Sequence, residues 1–190
     1  RLSEYRTSPE LALLNESFLL PNSHDKILIV ETYEGEIVST MQGEIFRNLN
    51  EVLNKTKTDT LAFSVQLPTF YLSLAATRKD LRNLGFNSIM RLVFIEQAKS
   101  SIEIQSFSGI VFDHAPRLNL MRELGYELNE IKPCNLTYWQ PKEITYWATL
   151  KTERFDNAIQ ILRTQCADLI HRTQIDINEI KFKWSPSYLP

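Results

Sequence analysis

Arg78, Lys79, Arg82 and Arg91 gather around Gly85, with Ser88 close behind it. These residue types at this spacing suit an anion. Arginine gives forked, charge-assisted bonds to phosphate oxygens. Glycine lets the backbone approach a ligand closely. A helix beginning just after the glycine would add unpaired N–H groups and the positive end of its dipole. The same side chains also fit a solvated loop and helix face, with Ser88 a surface serine. Two further residues are of types that move protons. Histidine suits proton transfer at neutral pH, so His114 is a candidate acid or base; the plain alternative is a side chain at a helix N-terminus. Glu44, with Glu31 behind it, could deprotonate an acceptor amine, and the alternative for each is a solvent-facing strand residue. No Ser-His-Asp order or metal-ligand spacing stands out. Neither Gly-x-x-x-x-Gly-Lys-Ser/Thr nor Gly-x-Gly-x-x-Gly occurs, which argues against the common nucleotide folds.

The elements that must hold these residues follow from hydrophobic periodicity. Phe70–Ala76 is an apolar run of strand length. Ile89–Ala98 is helical, with apolar residues on most of its surface, which predicts a helix well buried against a sheet. The basic glycine turn therefore joins a strand to a helix. Ahead of it, Lys26–Tyr33 and Glu36–Met41 flank Glu34-Gly35 and predict a hairpin with a two-residue turn. The first arm, apolar on both faces, belongs inside a sheet, and Gly43 marks a bulge or a strand end. Ser8–Leu20 has helical spacing, with Ser8 as cap and Pro9 in the first turn. Asn48–Thr60 reads as a polar excursion with a short helix, and Leu61–Val65 as a strand.

Downstream, Ser106–Phe112 reads as a strand that Ile102–Gln105 could extend. Asp113 is the expected N-cap of a helix that holds Pro116, Leu118, Leu120, Met121 and Leu124 and stops at Gly125. Tyr126–Ile131 and Ile144–Leu150 read as strands. Phe155, Ala158, Ile159, Leu162, Cys166, Leu169 and Ile170 form one apolar stripe on a helix from Glu153 to about Arg172, serving as core or as a subunit contact. Tyr138, Trp139, Tyr146 and Trp147 suit core packing, an interface or the lining of a pocket. The tail after Ile175 carries Trp184, Pro186, Tyr188 and Pro190, with no element assigned to it.

Composition bounds the function. The 190 residues are 43% hydrophobic and 23% charged, enough for one sizeable core. A net charge of −2 provides no global field for nucleic acid or an anionic membrane, so anion binding must be local. No apolar run approaches the ~18 residues of a membrane span. Cys134 and Cys166, far apart in sequence, read as reduced, part-buried thiols of a cytoplasmic protein. The chain opens on Arg1-Leu2-Ser3, which predicts that it begins inside a longer sequence.

The order of helix, hairpin, strand, basic glycine turn, long helix, strand, short helix and strand resembles the GNAT superfamily of N-acyltransferases. Two motifs carry the resemblance. Arg82-Asn83-Leu84-Gly85-Phe86-Asn87 matches the first two anchors of that family's acyl-CoA signature, Arg/Gln-x-x-Gly-x-Gly/Ala. Asp113-His114-Ala115 through Arg122-Glu123-Leu124-Gly125-Tyr126 has the shape of its second landmark, an Asn-x-x-Ala helix ending in a tyrosine and Leu-Gly-Phe/Tyr. The resemblance spans about Lys26 to Tyr126.

The resemblance implies an α+β, three-layer fold: a mixed, mostly antiparallel sheet flanked by helices, with a C-terminal amphipathic helix. It makes 1–150 the acyltransferase domain and 151–190 a helix and tail packed on it. It implies transfer of an acyl group from acyl-CoA, or from an acyl carrier protein, to an amine by direct attack, with no tightly bound cofactor and a possible homodimer. The backbone of Ala75, Ala76 and Thr77 would pair with the pantetheine arm. Arg82, Asn83, Leu84, Gly85, Phe86, Asn87 and Ser88 would surround the phosphates. His114 and Glu44 would be the catalytic candidates. Three residues depart from the pattern: Asn87 replaces the final small residue, Met121 stands where many members carry a proton-donating tyrosine, and His114 replaces the landmark asparagine. The departures leave room for a branch resembling the N-acyl amino acid synthases, with longer acyl chains. They also support a second reading, a catalytically inactive module that binds acyl-CoA or a protein.

Overall fold

The computed structural model describes residues 25–101, 103–132, 144–172 and 180–185. Among them the order is β1 (Asp25–Thr32), β2 (Ile37–Phe46), α1 (Leu49–Thr56), β3 (Thr69–Thr77), α2 (Phe86–Ser100), β4 (Ser106–Phe112), α3 (Arg117–Glu123), β5 (Glu127–Ile131), β6 (Thr145–Lys151), α4 (Phe155–Arg172) and β7 (Ile180–Ser185). The strands form one seven-stranded sheet in the order β5-β6-β4-β3-β2-β1-β7. β3 and β4 run parallel, whereas β1–β2, β1–β7, β4–β6 and β5–β6 are antiparallel. This is the expected mixed, mostly antiparallel α+β sheet. The expected helix over Ser8–Leu20 lies outside the described residues.

The described residues gather in two compact units. The first draws on Arg1–Glu44, Ser73–Val93 and Leu162–Pro190, and the second on Ile45–Leu72 and Phe94–Ile161. In the first, β1 and β2 form the expected hairpin, with Leu28, Val30, Val38 and Met41 buried. Its turn is longer than the expected two residues. Thr32 N–H bonds to Glu36 O at 2.9 Å and Gly35 N–H to Thr32 O at 3.0 Å, with Gly35 at φ +86°. The result is a three-residue loop ending in a left-handed glycine. Gly43 sits in regular register opposite Lys26; the bulge lies at Val38, where the ladder steps from Val30↔Ser39 to Glu31↔Ile37. The tail contributes an unforeseen strand: β7 pairs with β1 from Ile27↔Ser185 to Thr32↔Ile180. Its Ile-Lys-Phe-Lys-Trp alternation has the period of a strand with lysines at edge positions.

The second unit is built on stacked aromatic rings. Phe46 lies 4.9 Å from Tyr71, and Tyr71 lies 5.5 Å from Trp147, all near-parallel. Lys55 Nζ caps the Tyr71 ring at 5.1 Å. Phe70 packs between Phe94 of α2, at 5.1 Å, and Phe107 of β4, at 5.6 Å. Leu61, Phe63 and Val65 cover the cluster of Phe46, Val52, Tyr71, Ile131 and Trp147. Leu61–Val65 is irregular chain and not the expected strand, since its apolar side chains find the core while its backbone joins no ladder. Trp147 is therefore core, Tyr146 is half-buried, and Tyr138 and Trp139 lie outside the described residues.

Helix ends follow local chemistry in two places. Asn48 Oδ1 accepts from Glu51 N–H at 3.1 Å while the Glu51 carboxylate accepts from Asn48 N–H, a reciprocal capping box on α1. After α3, Gly125 at φ +86° reverses the chain, with Gly125 N–H bonded to Arg122 O and Tyr126 N–H to Met121 O, each at 3.0 Å. The expected Asp113 cap is not used: α3 starts at Arg117 behind Pro116, and the Asp113 carboxylate accepts from its neighbour His114 N–H at 2.8 Å. β4 begins at Ser106 without the possible extension from Ile102, because Ile104 N–H turns back onto Ser101 O at 3.3 Å. The stripe on α4 is core, with Phe155, Ala158, Ile159, Leu162 and Cys166 all buried.

Asn48→Ala removes the α1 cap and is expected to cost about 1 kcal/mol, read as a lower urea midpoint at unchanged slope. Burial pushes the Cys166 thiol up to about 11 from 9.0. Between those values the unfolded chain has released a proton that the folded chain still holds, so the thiol's contribution to stability declines as pH rises through that window. Denaturation midpoints of wild type and Cys166→Ala from pH 8 upward should therefore converge.

Candidate functional site

β3 ends at Thr77 and α2 begins at Phe86, so the predicted strand–turn–helix passage is present. One turn of 3₁₀ helix, Lys79–Leu81, starts the connection. Two residues then take left-handed backbone: Asn83 at φ +65° and Gly85 at φ +80°. Asparagine tolerates that region and glycine occupies it freely, which explains these two residue types here. The first intrahelical bond runs from Ile89 N–H to Gly85 O, at 3.1 Å. The N–H groups of Phe86, Asn87 and Ser88 precede it in the first turn of α2, where a helix supplies no acceptors of its own. A helix start of this kind, with the positive end of its dipole, is able to attract an anion.

The cations divide into different roles. Arg82 folds back so that its Nε donates to Thr77 O at 3.3 Å, leaving the two Nη groups without a bond among the described residues. Lys79 is exposed. Arg78 is committed elsewhere, with Nη1 2.9 Å from Glu36 Oε2 and Nε 2.9 Å from Asp80 Oδ1. The Arg78 guanidinium holds the Asp80 carboxyl below the usual range. Arg91 is buried at 2% exposure, so it leaves the expected surface cluster. The cluster of four thus reduces to exposed Lys79 and half-buried Arg82.

On β3, Ala75 is exposed and Ala76 and Thr77 are half-buried. Their setting depends on a residue that the sequence did not single out. Ser39 Oγ donates to Ala76 O at 2.8 Å and shares a 2.9 Å hydroxyl contact with Thr77 Oγ1. Ser73 Oγ likewise donates to Gln42 O at 3.2 Å. The parallel register of β3 with β4 covers Thr69–Leu72 against Ser106–Gly109. The last five residues of β3 lie beyond it and take these bonds with β2. No local sequence signal could have found Ser39, because its role arises from a register between distant strands.

Ala75 to Ser88 and Glu44 belong to the first unit, and His114 to the second. Glu44 is half-buried at the end of the β1–β2 ladder, opposite Asp25. Glu31 is half-buried opposite Ile37. His114 is exposed, with Nδ1 3.3 Å from Asp113 Oδ1 and its ring against Phe112 at 5.7 Å. Met121 is buried at 2% exposure in the core. Among the described residues no group of His, Cys, Asp and Glu side chains could hold a metal ion, and no helix is long and apolar enough to cross a membrane.

No protein-family model matches the sequence, and no curated protein matches it. Solved structures do. Naa20 of Chaetomium thermophilum, in complex with a bisubstrate analogue, is similar at 12% identity and a TM-score of 0.51, over 81% of this chain and 78% of that one. Arabidopsis thaliana NAA60, also in complex with a bisubstrate analogue, gives 9% identity and 0.53 over 75% and 90%. The CoA-dependent acyl-homoserine lactone synthase MesI gives 16% and 0.53 over 78% and 72%. The chain has the GNAT fold.

Gly85→Ala places a Cβ on left-handed backbone and is expected to destabilise the protein by about 1 kcal/mol. Urea denaturation checks this, with Asn87→Ala, which has no such backbone demand, as the comparison.

Proposed function

We propose that the protein is an N-acyltransferase that takes an acyl group from a phosphopantetheine thioester, on CoA or on an acyl carrier protein, and gives it to an amine. The observation that carries this reading is the turn itself: left-handed Asn83 and Gly85 leading into the first turn of α2, with Arg82 folded beside it, in a GNAT fold. The CoA dependence of the structural neighbour MesI supports the thioester donor. Ala75, Ala76 and Thr77 would lie along the pantetheine arm, with the Ala76 carbonyl already held by Ser39. Arg82, Asn83, Leu84, Gly85, Phe86, Asn87 and Ser88 would hold the phosphates, their backbone N–H groups doing most of the binding. The amine attacks the thioester carbon directly, and the protein contributes positioning and N–H groups for the oxyanion. His114 and Glu44 are the proposed proton carriers. In this reading 1–150 is the acyltransferase domain and 151–190 its C-terminal helix and tail. The acceptor class and acyl length, including the longer chains of an N-acyl amino acid synthase, belong to the test below.

A second reading is a module of the same fold that binds acyl-CoA or a protein without turnover. Met121 favours it, since a buried thioether cannot protonate a leaving thiolate.

Thiol release from acetyl-, octanoyl- and palmitoyl-CoA against a panel of amines separates the two. The first reading expects turnover with at least one pair. It also expects Arg82→Ala to raise KM for the donor about tenfold with little change in kcat, the signature of lost ground-state binding. CoA binding with no release would leave only the second reading. No CoA binding, with Arg82→Ala and Gly85→Asp both without effect, would remove both.

A further inference from the structure

We infer that Arg78 is a positioning residue: spanning Glu36 and Asp80, it latches the anion-binding turn to the β1–β2 hairpin and does not itself touch the ligand. The identity of that ligand rests on the acyl-CoA reading above.

Arg78 is the node of the turn. Its N–H donates to Val38 O at 2.9 Å, and its carbonyl accepts from Leu81 N–H at 3.0 Å. Its Nη1 meets Glu36 at 2.9 Å and its Nε meets Asp80 at 2.9 Å. One residue thus fixes the start of the connection to the bulged residue of β2, closes the 3₁₀ turn, and joins that turn to the hairpin loop. The Glu36 backbone is held in the hairpin loop, where its N–H donates to Thr32 Oγ1 at 3.3 Å and its carbonyl accepts from Thr32 N–H at 2.9 Å, while its side chain is exposed.

The rest of the connection has little of its own to hold it. Among the described residues, Arg82 Nε on Thr77 O is the remaining side-chain bond across it, and Asn83 and Gly85 hold left-handed backbone. A lone exposed ion pair adds little stability. Here one guanidinium, 24% exposed, presents two different nitrogens to carboxylates from two segments, which sets direction as well as attraction. A lysine has a single ammonium and no planar fork to do this. With two carboxylates beside it, the Arg78 charge is compensated before any anion arrives.

The test uses Arg78→Ala, Arg78→Lys, the pair Glu36→Gln with Asp80→Asn, and all three changes together. CoA binding is measured by calorimetry across ionic strengths, and amide exchange is followed over 79–88. The latch predicts that Arg78→Ala and the double variant each weaken CoA binding about tenfold. Both also speed exchange in the turn and keep the salt dependence of wild type. The triple variant is no worse than either, because all of them break one unit, and Arg78→Lys recovers only part of the loss.

Tighter binding by the double variant, which frees the guanidinium, would make Arg78 a ligand and overturn the inference. A flattened salt dependence in Arg78→Ala would do the same. Wild type that binds no CoA would overturn the acyl-CoA reading instead. The latch would then be decided by exchange, and unchanged exchange in Arg78→Ala would reject it.

Discussion

The amides of Phe86, Asn87 and Ser88 stand in the first turn of α2, ahead of the bond from Ile89 N–H to Gly85 O. A backbone donor without an acceptor is tolerated at the surface and is costly when buried dry. The chain enters that turn through two left-handed residues, Asn83 and Gly85, shortly after the end of β3. Everything that makes this site a site serves that placement. β3 delivers the chain, Ser39 holds its Ala76 carbonyl, Arg78 ties the turn down, and the helix continues into buried Met90 and Arg91.

Each unit has its own means of holding such a feature steady. In the first, the β1–β2 hairpin, extended by β7, has Leu28, Val30, Val38 and Met41 buried. In the second, aromatic stacking from Phe46 through Tyr71 to Trp147 fixes the strands, and long-range hydroxyl bonds add specificity. Thr69 Oγ1 donates to Ser106 O at 3.2 Å, and Ser106 Oγ donates to Gln66 O at 2.8 Å. Buried hydroxyls of this kind are satisfied in only one register, so they favour a single arrangement of neighbouring strands.

Much of the fold could be read along the chain because its causes are local. Ser106–Phe112 is a strand with the expected ends, since an apolar run of that length between polar residues leaves little choice. The stripe from Phe155 to Cys166 is buried as its spacing requires. Gly85 and Gly125 occupy left-handed backbone at a helix start and a helix stop, where glycine is the residue that does so freely. The misreadings have a common origin in tertiary structure. Leu61–Val65 has the composition of a strand but covers the aromatic cluster as irregular chain. Asp113 has the type of a cap but bonds its own neighbour. β7 exists because β1 offers it an edge.

The sequence by itself determined the strand–glycine–helix passage and the order of most elements from β1 to α4. These depend on backbone preference and periodicity within a few residues. Tertiary structure alone decided which cations remain available. Arg91 is drawn into the core, and Arg78 is neutralised by a glutamate 42 residues away. It also decided that Ser39 holds the carbonyl of Ala76. Partners so distant in sequence are set by strand register, which emerges only when the sheet closes around a shared apolar core.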